Sequence, residues 1–385
     1  MIKIPTHGLT IYSWDPTLEQ GAVDQARNLA LHPYAHERIC VMPDGHQGFG
    51  MPIGGVAALK SAIIPNAVGY DIGCGMRTSR CDLTEITKQD LIEVLKEIRT
   101  DIPVGFSHRD KPMESYLPKI PYIDSKYCNV VRDRWDSAAH EIGTLGGGNH
   151  FIEIQKGDDG HIYVTIHSGS RNVGQKTAKF YNDLAKEETK SSDINIPKGW
   201  QLDVLTGDNL HIYFSEMNWC LEFARANRFL MMETVQDIME RKLNCEFESA
   251  LDIHHNYASL EMHYGNNYWI HRKGATAAEK GLLGIIPGSQ GSPTYIVKGR
   301  GNESSFSSCS HGAGRKMGRE VAKKTLKLDE QTALLDSMGI MHSVRGVRDL
   351  DEAPGAYKDI DAVMALQQDL VSIENKLIPI AVVKG

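Results

Sequence analysis

The sequence VGYDIGCGMRTS, residues 68–79, places one carboxylate and one thiol in a loop that is rich in glycine. Asp71 and Cys74 are three residues apart, and three glycines surround them: Gly69, Gly73 and Gly75. Glycine adopts left-handed or closely packed backbone conformations that a Cβ atom would forbid. The loop is therefore bent either for packing or to aim its two reactive side chains at one point.

The composition is that of an ordinary globular protein: 41% of the 385 residues are hydrophobic and 24% are charged. A net charge of −7 argues against a protein that coats nucleic acid generally, but it leaves room for a local basic pocket. Since no run of 18 apolar residues occurs, no membrane span is expected. The N-terminal sequence MIKIPTHGLTIYSWDP lacks the apolar segment of a signal peptide.

The cysteines are scattered and odd in number, and no CxxC pair occurs. A disulfide framework is therefore not expected, and the reducing cytoplasm is the predicted location. Most of the thiols are expected to be small buried hydrophobic groups. The seven are Cys40, Cys74, Cys81, Cys128, Cys220, Cys245 and Cys309.

Apolar residues alternate between helical and strand periods, which predicts a mixed α/β fold with central β-sheets flanked by helices. Because glycine-rich polar clusters occur along the whole length, residues 1–385 are expected to form a single domain. Helices are predicted at 17–31, 87–100 with Thr87 as its cap, 208–242, 314–326 and 359–372. Strands are predicted at 161–170, 251–258, 267–275 and 376–385, with a strand, a turn and a second strand over 54–65.

Four segments each place a potential metal ligand at the end of a predicted strand, beside Gly, Ser or Asn. Thiolate and imidazole together suit zinc, and a carboxylate with open positions widens the choice to Mn, Fe or Co. Five donors exceed one closed tetrahedral site, so two ions that share Cys74 are an attractive arrangement. Taken singly, such residues are more often structural, and spacing alone does not show that they converge. The candidates are Asp71 and Cys74, His150 beside Asn149, His167, and His255 beside Asn256.

A fifth segment, CSHGAGR, places His311 in a glycine-rich stretch before the predicted helix 314–326. The stretch is either a simple helix entry or an anion site, with Arg315 and Lys316 in the first helical turn. His311 is then a candidate base, ligand or nucleophile, because a histidine can form a covalent phosphoramidate. Arg171 follows a Ser/Gly loop and suits either phosphate binding or a surface ion pair.

Ten blocks, in one order from about residue 40 to the C-terminus, resemble the RtcB family of RNA-splicing ligases. They are VMPDGHQGFGMPIGGVAA, AVGYDIGCGM, LGGGNHFIEI, IHSGSR, HHNYA, RKGAT, IPGSQGSPTYIV, CSHGAGR, DEAPGAYKDID and PIAVVKG. The resemblance implies a manganese-dependent RNA ligase with GTP as cosubstrate, acting in tRNA splicing or RNA repair. Its substrates would be a 3′-phosphate or 2′,3′-cyclic phosphate end and a 5′-hydroxyl end, and an archease-like activator is a further candidate partner.

The resemblance also implies roles for single residues. His311 is similar to the family nucleophile that takes GMP from GTP, Asp44 to a supporting acid, and Arg171 to an RNA phosphate contact. The five metal candidates are similar to the ligands of two Mn²⁺ ions, with Cys74 bridging: Asp71, Cys74, His150, His167 and His255. Tyr357 would stack on guanine while Glu153 and Lys384 read its edge. The full GTP site would comprise Asn149, Glu153, Asn256, Ser289, Thr294, His311, Gly312, Gly314, Arg315, Tyr357 and Lys384.

The chain departs from the family pattern at SRNVG, where SRGLG is frequent, and at GSQG, where GSMG is frequent. These changes concern the RNA-docking surface more than the implied metal or guanylate chemistry. The main alternative function is a metal-dependent phosphodiesterase or phosphatase that acts on RNA ends without ligation. A structural zinc protein or an RNA-binding remnant is the non-catalytic alternative, and a closed zinc site fits this donor set poorly.

Overall fold

The structure of the protein is a computed structural model, and it describes residues 1–119 and 129–385. The strands are β1 Ile2–Ile4, β2 Thr10–Ser13, β3 Ala35–Phe49, β4 Met51–Leu59, β5 Gly75–Cys81, β6 Phe151–Gly157, β7 Ile162–Ser168, β8 Leu251–His254, β9 Asn256–His263, β10 Asn266–Lys273, β11 Ala275–Ala277, β12 Leu283–Ile286, β13 Thr294–Gly299, β14 Ser308–Ser310 and β15 Val371–Lys384. The α-helices are α1 Gln20–Ala30, α2 Pro65–Val68, α3 Lys88–Asp101, α4 Asn129–Asp133, α5 Trp135–Glu141, α6 Arg171–Ser191, α7 Gly207–Leu243, α8 Arg319–Thr325, α9 Leu328–Ser337 and α10 Ile360–Ala365.

Two sheets organise the part of the chain that the structure describes. The first has the strand order β1-β2-β3-β4-β10-β9, and the second has the order β12-β13-β15-β6-β7-β5-β8. The ladders are antiparallel except that β2 and β3 run parallel. The short strands β11 and β14 pair with each other. The predicted mixed α/β class is therefore confirmed.

The second sheet has two different faces because successive side chains of a strand point in opposite directions. On one face, Ile152, Ile154, Val164 and Ile166 form a buried apolar cluster with residues of α3 and α7. Each such buried side chain stabilises the fold by about 1.5–3 kcal/mol. The opposite face carries Met76, Phe151, Thr165 and His167, so the register that buries the isoleucines also turns His167 towards the other side.

One edge of this sheet gathers the loops that carry the candidate ligands. Gly75 at the start of β5 pairs with Ser168 at the end of β7 and with His254 at the end of β8. Phe151 at the start of β6 pairs with His167. Residues 74, 150, 167 and 255 therefore meet at the same edge, although up to 181 positions separate them in sequence.

Several predicted elements are confirmed. The helix predicted at 17–31 spans Gln20–Ala30, and the segment 208–242 is one helix, Gly207–Leu243. The predicted cap of α3 is also present, since the Thr87 hydroxyl accepts a hydrogen bond from the Asp90 amide at 3.2 Å. Strand β7 corresponds to the predicted strand 161–170, and β8 with the start of β9 corresponds to 251–258. Strand β10 corresponds to 267–275, and the end of β15 corresponds to 376–385.

Three predicted elements are wrong in part. The predicted helix 314–326 begins only at Arg319, so neither Arg315 nor Lys316 lies in a first helical turn. Residues 359–372 are helical only over Ile360–Ala365, and the chain enters β15 at Val371. Over 54–65 the first strand forms within β4, but in place of the second strand Ile63 makes a single bridge and Pro65 begins α2.

The described cysteines are all buried and none of them forms a disulfide, as expected for small hydrophobic groups. Cys128 lies outside the described residues. Among the described helices, none combines the length and the apolar character that crossing a membrane requires.

Candidate active site

The five residues predicted as metal ligands lie together. Cys74 Sγ is 3.1 Å from His167 Nε2 and 3.6 Å from His150 Nε2. His167 Nε2 is 3.4 Å from His255 Nε2, and His150 Nε2 is 3.1 Å from Asp71 Oδ2. Cys74 belongs to two groups, one with His167 and His255 and one with Asp71 and His150, each with its ligand atoms within 4.8 Å of one another. This geometry places the thiol between two potential cation positions.

Backbone carbonyls orient two of the imidazoles. His150 Nδ1 is 3.0 Å from the carbonyl oxygen of Leu145, and His167 Nδ1 is 3.0 Å from that of Asn149. An Nδ1–H group donates to each carbonyl, so the lone pair of each Nε2 faces the cluster. A hydrogen bond of this kind fixes the tautomer that binds a metal ion.

The electrostatics of the cluster fit a bound cation. Burial lowers the pKa of His167 well below its ordinary value, and the neighbouring His150 lowers it further. Burial also lowers the pKa of His255 well below its ordinary value, and the neighbouring His311 lowers it further. Burial and Asp71 raise the pKa of the Cys74 thiol. The neutral imidazole nitrogens of His167 and His255 therefore lie 3.4 Å apart, and the Cys74 sulfur lies 3.1 Å from that of His167, an arrangement of electron-pair donors that a divalent cation satisfies.

The glycine loop that holds Asp71 and Cys74 packs tightly against α7. Gly73 has φ of 72°, and a Cβ atom there would lie 3.0 Å from Ala224 Cβ and 3.1 Å from Leu221 Cα. The Cys74 amide donates to the Asp71 carbonyl at 3.1 Å, which closes the turn. Both interpretations of the glycines are thus correct, because the close packing and the aim of the two side chains are produced by the same turn.

His311 lies beside this cluster and is held by Asp44. His311 Nδ1 is 2.6 Å from Asp44 Oδ2, and the same oxygen accepts from the amides of His311 at 3.1 Å and Gly312 at 3.3 Å. Burial would raise the pKa of Asp44, but His311, together with His46 and Lys358, holds that pKa below its ordinary value. The ring centroids of His311 and His255 are 4.9 Å apart. Because Nδ1 is occupied, Nε2 of His311 is the nitrogen left for chemistry.

A glycine explains why this segment is not helical. Gly314 has φ of 73°, and a Cβ atom there would lie 2.2 Å from the Asp44 carbonyl oxygen. The backbone of residues 311–314 therefore lies closely against Asp44, and α8 begins only at Arg319.

A cavity beside the cluster joins most of the predicted site. We call it the main cavity, and its volume is about 270 Å³. His311, Cys74, Glu153 and Lys384 all line this cavity. The predicted residues that line it are Asp71, Cys74, Asn149, Glu153, His167, His255, Asn256, Ser289, His311, Gly312, Gly314, Arg315, Tyr357 and Lys384.

Three residues of the predicted GTP site, Arg315, Tyr357 and Lys384, meet at a carboxylate that the sequence did not single out. Glu352 accepts from the Tyr357 hydroxyl, from Lys384 Nζ at 3.4 Å and from Arg315 at 3.3 Å. Arg319 also reaches Glu352, at 2.6 Å. The guanidinium carbon of Arg315 lies 5.1 Å from the centre of the Tyr357 ring, so one face of that ring is already covered.

Four residues of the predicted site either lie outside the lining of the main cavity or use their side chains in hydrogen bonds within the protein: His150, Arg171, Thr294 and Asn256. His150 and Arg171 line a second, adjoining cavity, which Asn149 and Asp71 also border. Arg171 donates to the Thr144 hydroxyl at 3.0 Å and to the Gly105 carbonyl at 2.9 Å. Thr294 is buried beside Gln155, from which it accepts a hydrogen bond at 2.9 Å. The Asn256 side chain donates to the Asp71 carbonyl and accepts from the Gly274 amide.

Sequence reasoning missed Arg228, which ties the site together from α7. Its guanidinium donates to the carbonyls of Gly73 at 3.0 Å and Ser168 at 2.9 Å, and it forms an ion pair with Asp252. The signal in the sequence was a cation within the apolar helical stretch CLEFARANRFLMM, and the structure buries Arg228 fully. Glu352 and Arg319 carried no comparable signal, since charged residues in polar segments are usually exposed.

Comparison with known proteins gives one consistent result. The model of the tRNA-splicing ligase RtcB family matches residues 25–385. The RNA-splicing ligase RtcB of Escherichia coli K12 is 38% identical over 411 residues, covering 100% of this chain and 97% of that protein. The tRNA-splicing ligase RtcB of Nanoarchaeum equitans is 32% identical over 467 residues, covering 100% and 97%. That of Thermococcus kodakarensis is 28% identical over 453 residues, covering 97% and 94%.

Proposed function

Because the chain belongs to the RtcB family and is therefore an RNA ligase, we propose that it joins RNA ends with GTP as cosubstrate. The ends are a 3′-phosphate or 2′,3′-cyclic phosphate and a 5′-hydroxyl, in tRNA splicing or RNA repair. One observation carries this proposal: Asp44 holds Nδ1 of His311 at 2.6 Å, beside the ligand cluster and at the wall of a cavity. An imidazole held in this way is suited to nucleophilic attack through Nε2.

The proposed metal ligands are Asp71, Cys74, His150, His167 and His255, with Cys74 shared by two ions. A mixed carboxylate, imidazole and thiolate set with open positions admits Mn²⁺ as well as Fe and Co. Two such ions would neutralise phosphate charge and act as Lewis acids on phosphoryl oxygens. The distances between the ligand atoms and the neutral state of His167 and His255 support this assignment.

In the proposed first step, Nε2 of His311 attacks the α-phosphorus of GTP. A P–N bond forms, the bond to the bridging oxygen breaks, and pyrophosphate leaves. The imidazole gains positive charge in this step, and the carboxylate of Asp44 stabilises that charge through Nδ1–H, as an acid does that orients a catalytic histidine. The product is a covalent histidine–GMP.

The later steps transfer GMP to the RNA and then release it. A 3′-phosphate oxygen attacks the phosphorus of histidine–GMP, so that a P–O bond forms and the P–N bond breaks. The 5′-hydroxyl then attacks the activated RNA phosphorus, GMP leaves with its bonding electrons, and a phosphodiester results. A cyclic phosphate end is first hydrolysed to the 3′-phosphate.

The guanine pocket is proposed to comprise Glu153, Ser289, Thr294, Tyr357 and Lys384. Glu153 would accept hydrogen bonds from the base, and Lys384 would donate to it. Tyr357 would stack on the base with the ring face that Arg315 leaves open. We assign the phosphates of the nucleotide to Asn149, Asn256, Gly312, Gly314 and Arg315, and an RNA phosphate in the second cavity to Arg171.

The whole chain, residues 1–385, is proposed to act as one catalytic domain, because both sheets contribute to the site. Asp44 comes from β3 of the first sheet, whereas His167 comes from β7 of the second. A cytoplasmic location and an archease-like activator remain predictions.

Ligation is distinguished from RNA-end hydrolysis by an RNA joining assay. We expect a 2′,3′-cyclic phosphate RNA and a 5′-hydroxyl RNA to give a joined product only when Mn²⁺ and GTP are both present. The matched variants are His311→Ala, which should form no joined product, and His211→Ala on the exposed side of α7, which should behave as the wild type. Removal of the terminal phosphate without joining, at a rate independent of GTP, would instead favour the phosphodiesterase.

A further inference from the structure

A chain of buried hydrogen bonds runs beneath the main cavity and ends on Glu153. Gln155 Nε2 donates to Glu153 Oε2 at 2.7 Å and to the Thr294 hydroxyl at 2.9 Å. The Thr165 hydroxyl donates to Gln155 Oε1 at 2.6 Å, and the Thr78 and Thr165 hydroxyls are 2.9 Å apart. Gln155 and Thr165 are fully buried, and Thr78 is 3% exposed.

All the hydrogen bonds from Thr78 through Thr165 and Gln155 to Glu153 point the same way, with each group donating to the next. Since the single hydroxyl proton of Thr165 goes to Gln155, the hydrogen between the two threonines belongs to Thr78. Both N–H groups of the Gln155 amide are then committed, one to Glu153 and one to Thr294. The N–H group that Glu153 Oε2 receives favours the charged carboxylate over the protonated acid.

Apolar side chains are buried beside these hydrogen bonds. The same side of the sheet carries a buried cluster that includes Met76, Phe151, Ile285 and Val382. Buried polar groups weaken a core unless each is hydrogen-bonded, and apolar groups of similar shape serve stability equally well. Neither Gln155 nor Thr165 lies among the described residues that line the main cavity. A role that reaches the cavity through Glu153 accounts for their presence.

Glu153 is the point at which the chain meets the proposed base pocket. Its side chain lines the main cavity and is 2% exposed. Guanine presents N1–H and an amino group side by side, so two adjacent donors seek a carboxylate. Adenine presents an amino group beside the bare N1, so it is matched by a protonated carboxyl group, which offers one acceptor and one donor.

We infer that the hydrogen bonds from Thr78 through Thr165 to Gln155 favour the charged, hydrogen-bond-accepting form of Glu153 and thereby strengthen the preference of the pocket for guanine over adenine. The inference deepens the proposed function and rests on it. Gln155 and Thr165 are positioning residues in this scheme, because they touch Glu153 or each other and not the nucleotide.

The local electrostatics show why Glu153 needs this support. Burial raises the pKa of Glu153 to about 8, and Lys384 and then the hydrogen bond from Gln155 counteract part of that rise. A hydrogen bond donated to a carboxylate favours the charged form. Without Gln155, the buried carboxyl group takes up a proton more readily and offers an O–H donor to the base.

The test compares GTP with ATP as the source of the nucleotide that labels the protein. The full chain is incubated with Mn²⁺ and with each α-³²P-labelled nucleotide, and kcat/KM for adduct formation is measured at about pH 7.5, near the pKa of Glu153. We expect Gln155→Met to lower the GTP/ATP ratio about tenfold or more, since a hydrogen bond to a charged group is worth about 1.5–3 kcal/mol and 1.4 kcal/mol is tenfold. Thr165→Val, which removes only a hydroxyl group, should lower the ratio about fivefold on the same basis.

Two controls separate selectivity from folding. Thr165→Ser keeps the hydroxyl group and should keep the ratio. Thr177→Val removes a hydroxyl group that is fully buried in α6, where it donates to the Val173 carbonyl, and should leave the ratio unchanged. Melting temperatures of all variants show whether each is folded.

The possible outcomes distinguish this inference from the function on which it rests. If the wild type prefers GTP and Thr165→Val keeps that preference, the positioning role is wrong and the proposed function stands. If Gln155→Met and Thr165→Val lose rate with GTP and ATP equally, the chain serves stability alone and the inference is again wrong. If the wild type takes no label from either nucleotide, both the proposed function and this inference fail.

Discussion

The pairing of Asp44 with His311 is the arrangement on which the proposed chemistry depends. Asp44 is fully buried, and its Oδ2 receives the imidazole and two backbone amides. Such a carboxylate fixes the tautomer of the histidine and offsets the charge that develops on it. The sequence indicated His311 from its glycine-rich setting, but the pairing joins residues that are 267 positions apart.

Replacing Asp44 with asparagine tests this role. The side-chain amide would keep an oxygen for the backbone N–H groups but lose the negative charge, so Asp44→Asn should slow histidine guanylylation by about 100-fold or more. Binding of GTP should change little, because Asp44 lies behind His311. Single-turnover labelling measures the rate of histidine guanylylation, and an equilibrium binding assay measures the affinity for GTP. An unchanged labelling rate would show that Asp44 only supports the fold.

Cys74 is the residue whose replacement should most affect metal content. Both ligand groups contain its sulfur, so Cys74→Ala should lose most of the bound Mn²⁺ after dialysis, as measured by elemental analysis. Cys40→Ala is the matched control, because Cys40 is also buried but lies in β3 and donates to the Ser304 carbonyl. Full metal occupancy in Cys74→Ala would contradict the bridging assignment.

At the scale of elements, the loop before β5 and the helix α7 depend on each other. Arg228 of α7 donates to the carbonyls of Gly73 and Ser168, so the helix fixes two ligand-bearing segments at once. This dependence explains why a long helix carries a fully buried cation. It was not predictable from the sequence, because periodicity shows which face of a helix is apolar but not which loops pack against it.

Gly73→Ala should weaken both stability and metal binding. The added Cβ would meet α7 at about 3.0 Å in a left-handed conformation, with a combined cost of about 2–4 kcal/mol. Gly160→Ala is the matched control, since Gly160 has φ of 87° but no other group lies within 4 Å of the position that the added methyl would take. It should cost only about 1 kcal/mol. Equal losses in the two variants, measured by urea denaturation, would exclude packing against α7 as the cause.

The sequence predicted elements well where local signals agree and poorly where glycine-rich backbone wraps another group. Helix α3 has an apolar face and the Thr87 cap, so its bounds were predicted within a residue. The segment from Gly314 to Gly318 contains cationic residues typical of helices, yet the helix begins only after it, because Gly314 packs in a left-handed conformation against the backbone of Asp44. That distant contact has no local signature.

At the scale of the whole molecule, two sheets supply the two halves of the site. The metal candidates come from the edge of the second sheet, and Asp44 comes from the first. Strand-end histidines and the Asp71–Cys74 loop were identifiable as candidates from the sequence. Their convergence was not, because it depends on the pairing of β5 with β7 and β8. The contacts of Glu352 with Arg315, Tyr357 and Lys384 were missed because a charged residue in a polar segment is usually exposed.

The metal-free protein should lose stability as the pH falls from about 7 to about 5. Burial lowers the pKa to about 4 for four histidines: His32, His46, His254 and His271. Since each regains a pKa near 6.5 on unfolding, the unfolded chain binds more protons in this range, and each histidine costs about 2 kcal/mol. Glu153 acts in the opposite sense, because its raised pKa favours the folded state as the pH falls.

The four histidines together outweigh Glu153, so the free energy of unfolding should fall by several kcal/mol between about pH 7 and about pH 5, on the order of the sum of these effects. Urea denaturation in the presence of a chelator measures this change. A free energy that is constant or rises on acidification would show that these histidines are protonated in the folded protein.

The most direct test of the proposed function is to locate the nucleotide on the protein. We predict that incubation with α-³²P-labelled GTP and Mn²⁺ gives a covalent GMP adduct that is stable to base and labile to acid, as a phosphoramidate is. Peptide mapping should place it on His311, and His311→Ala should abolish it while His211→Ala retains it. Absence of label from the wild type under several divalent metals, or label on another residue, would contradict the account.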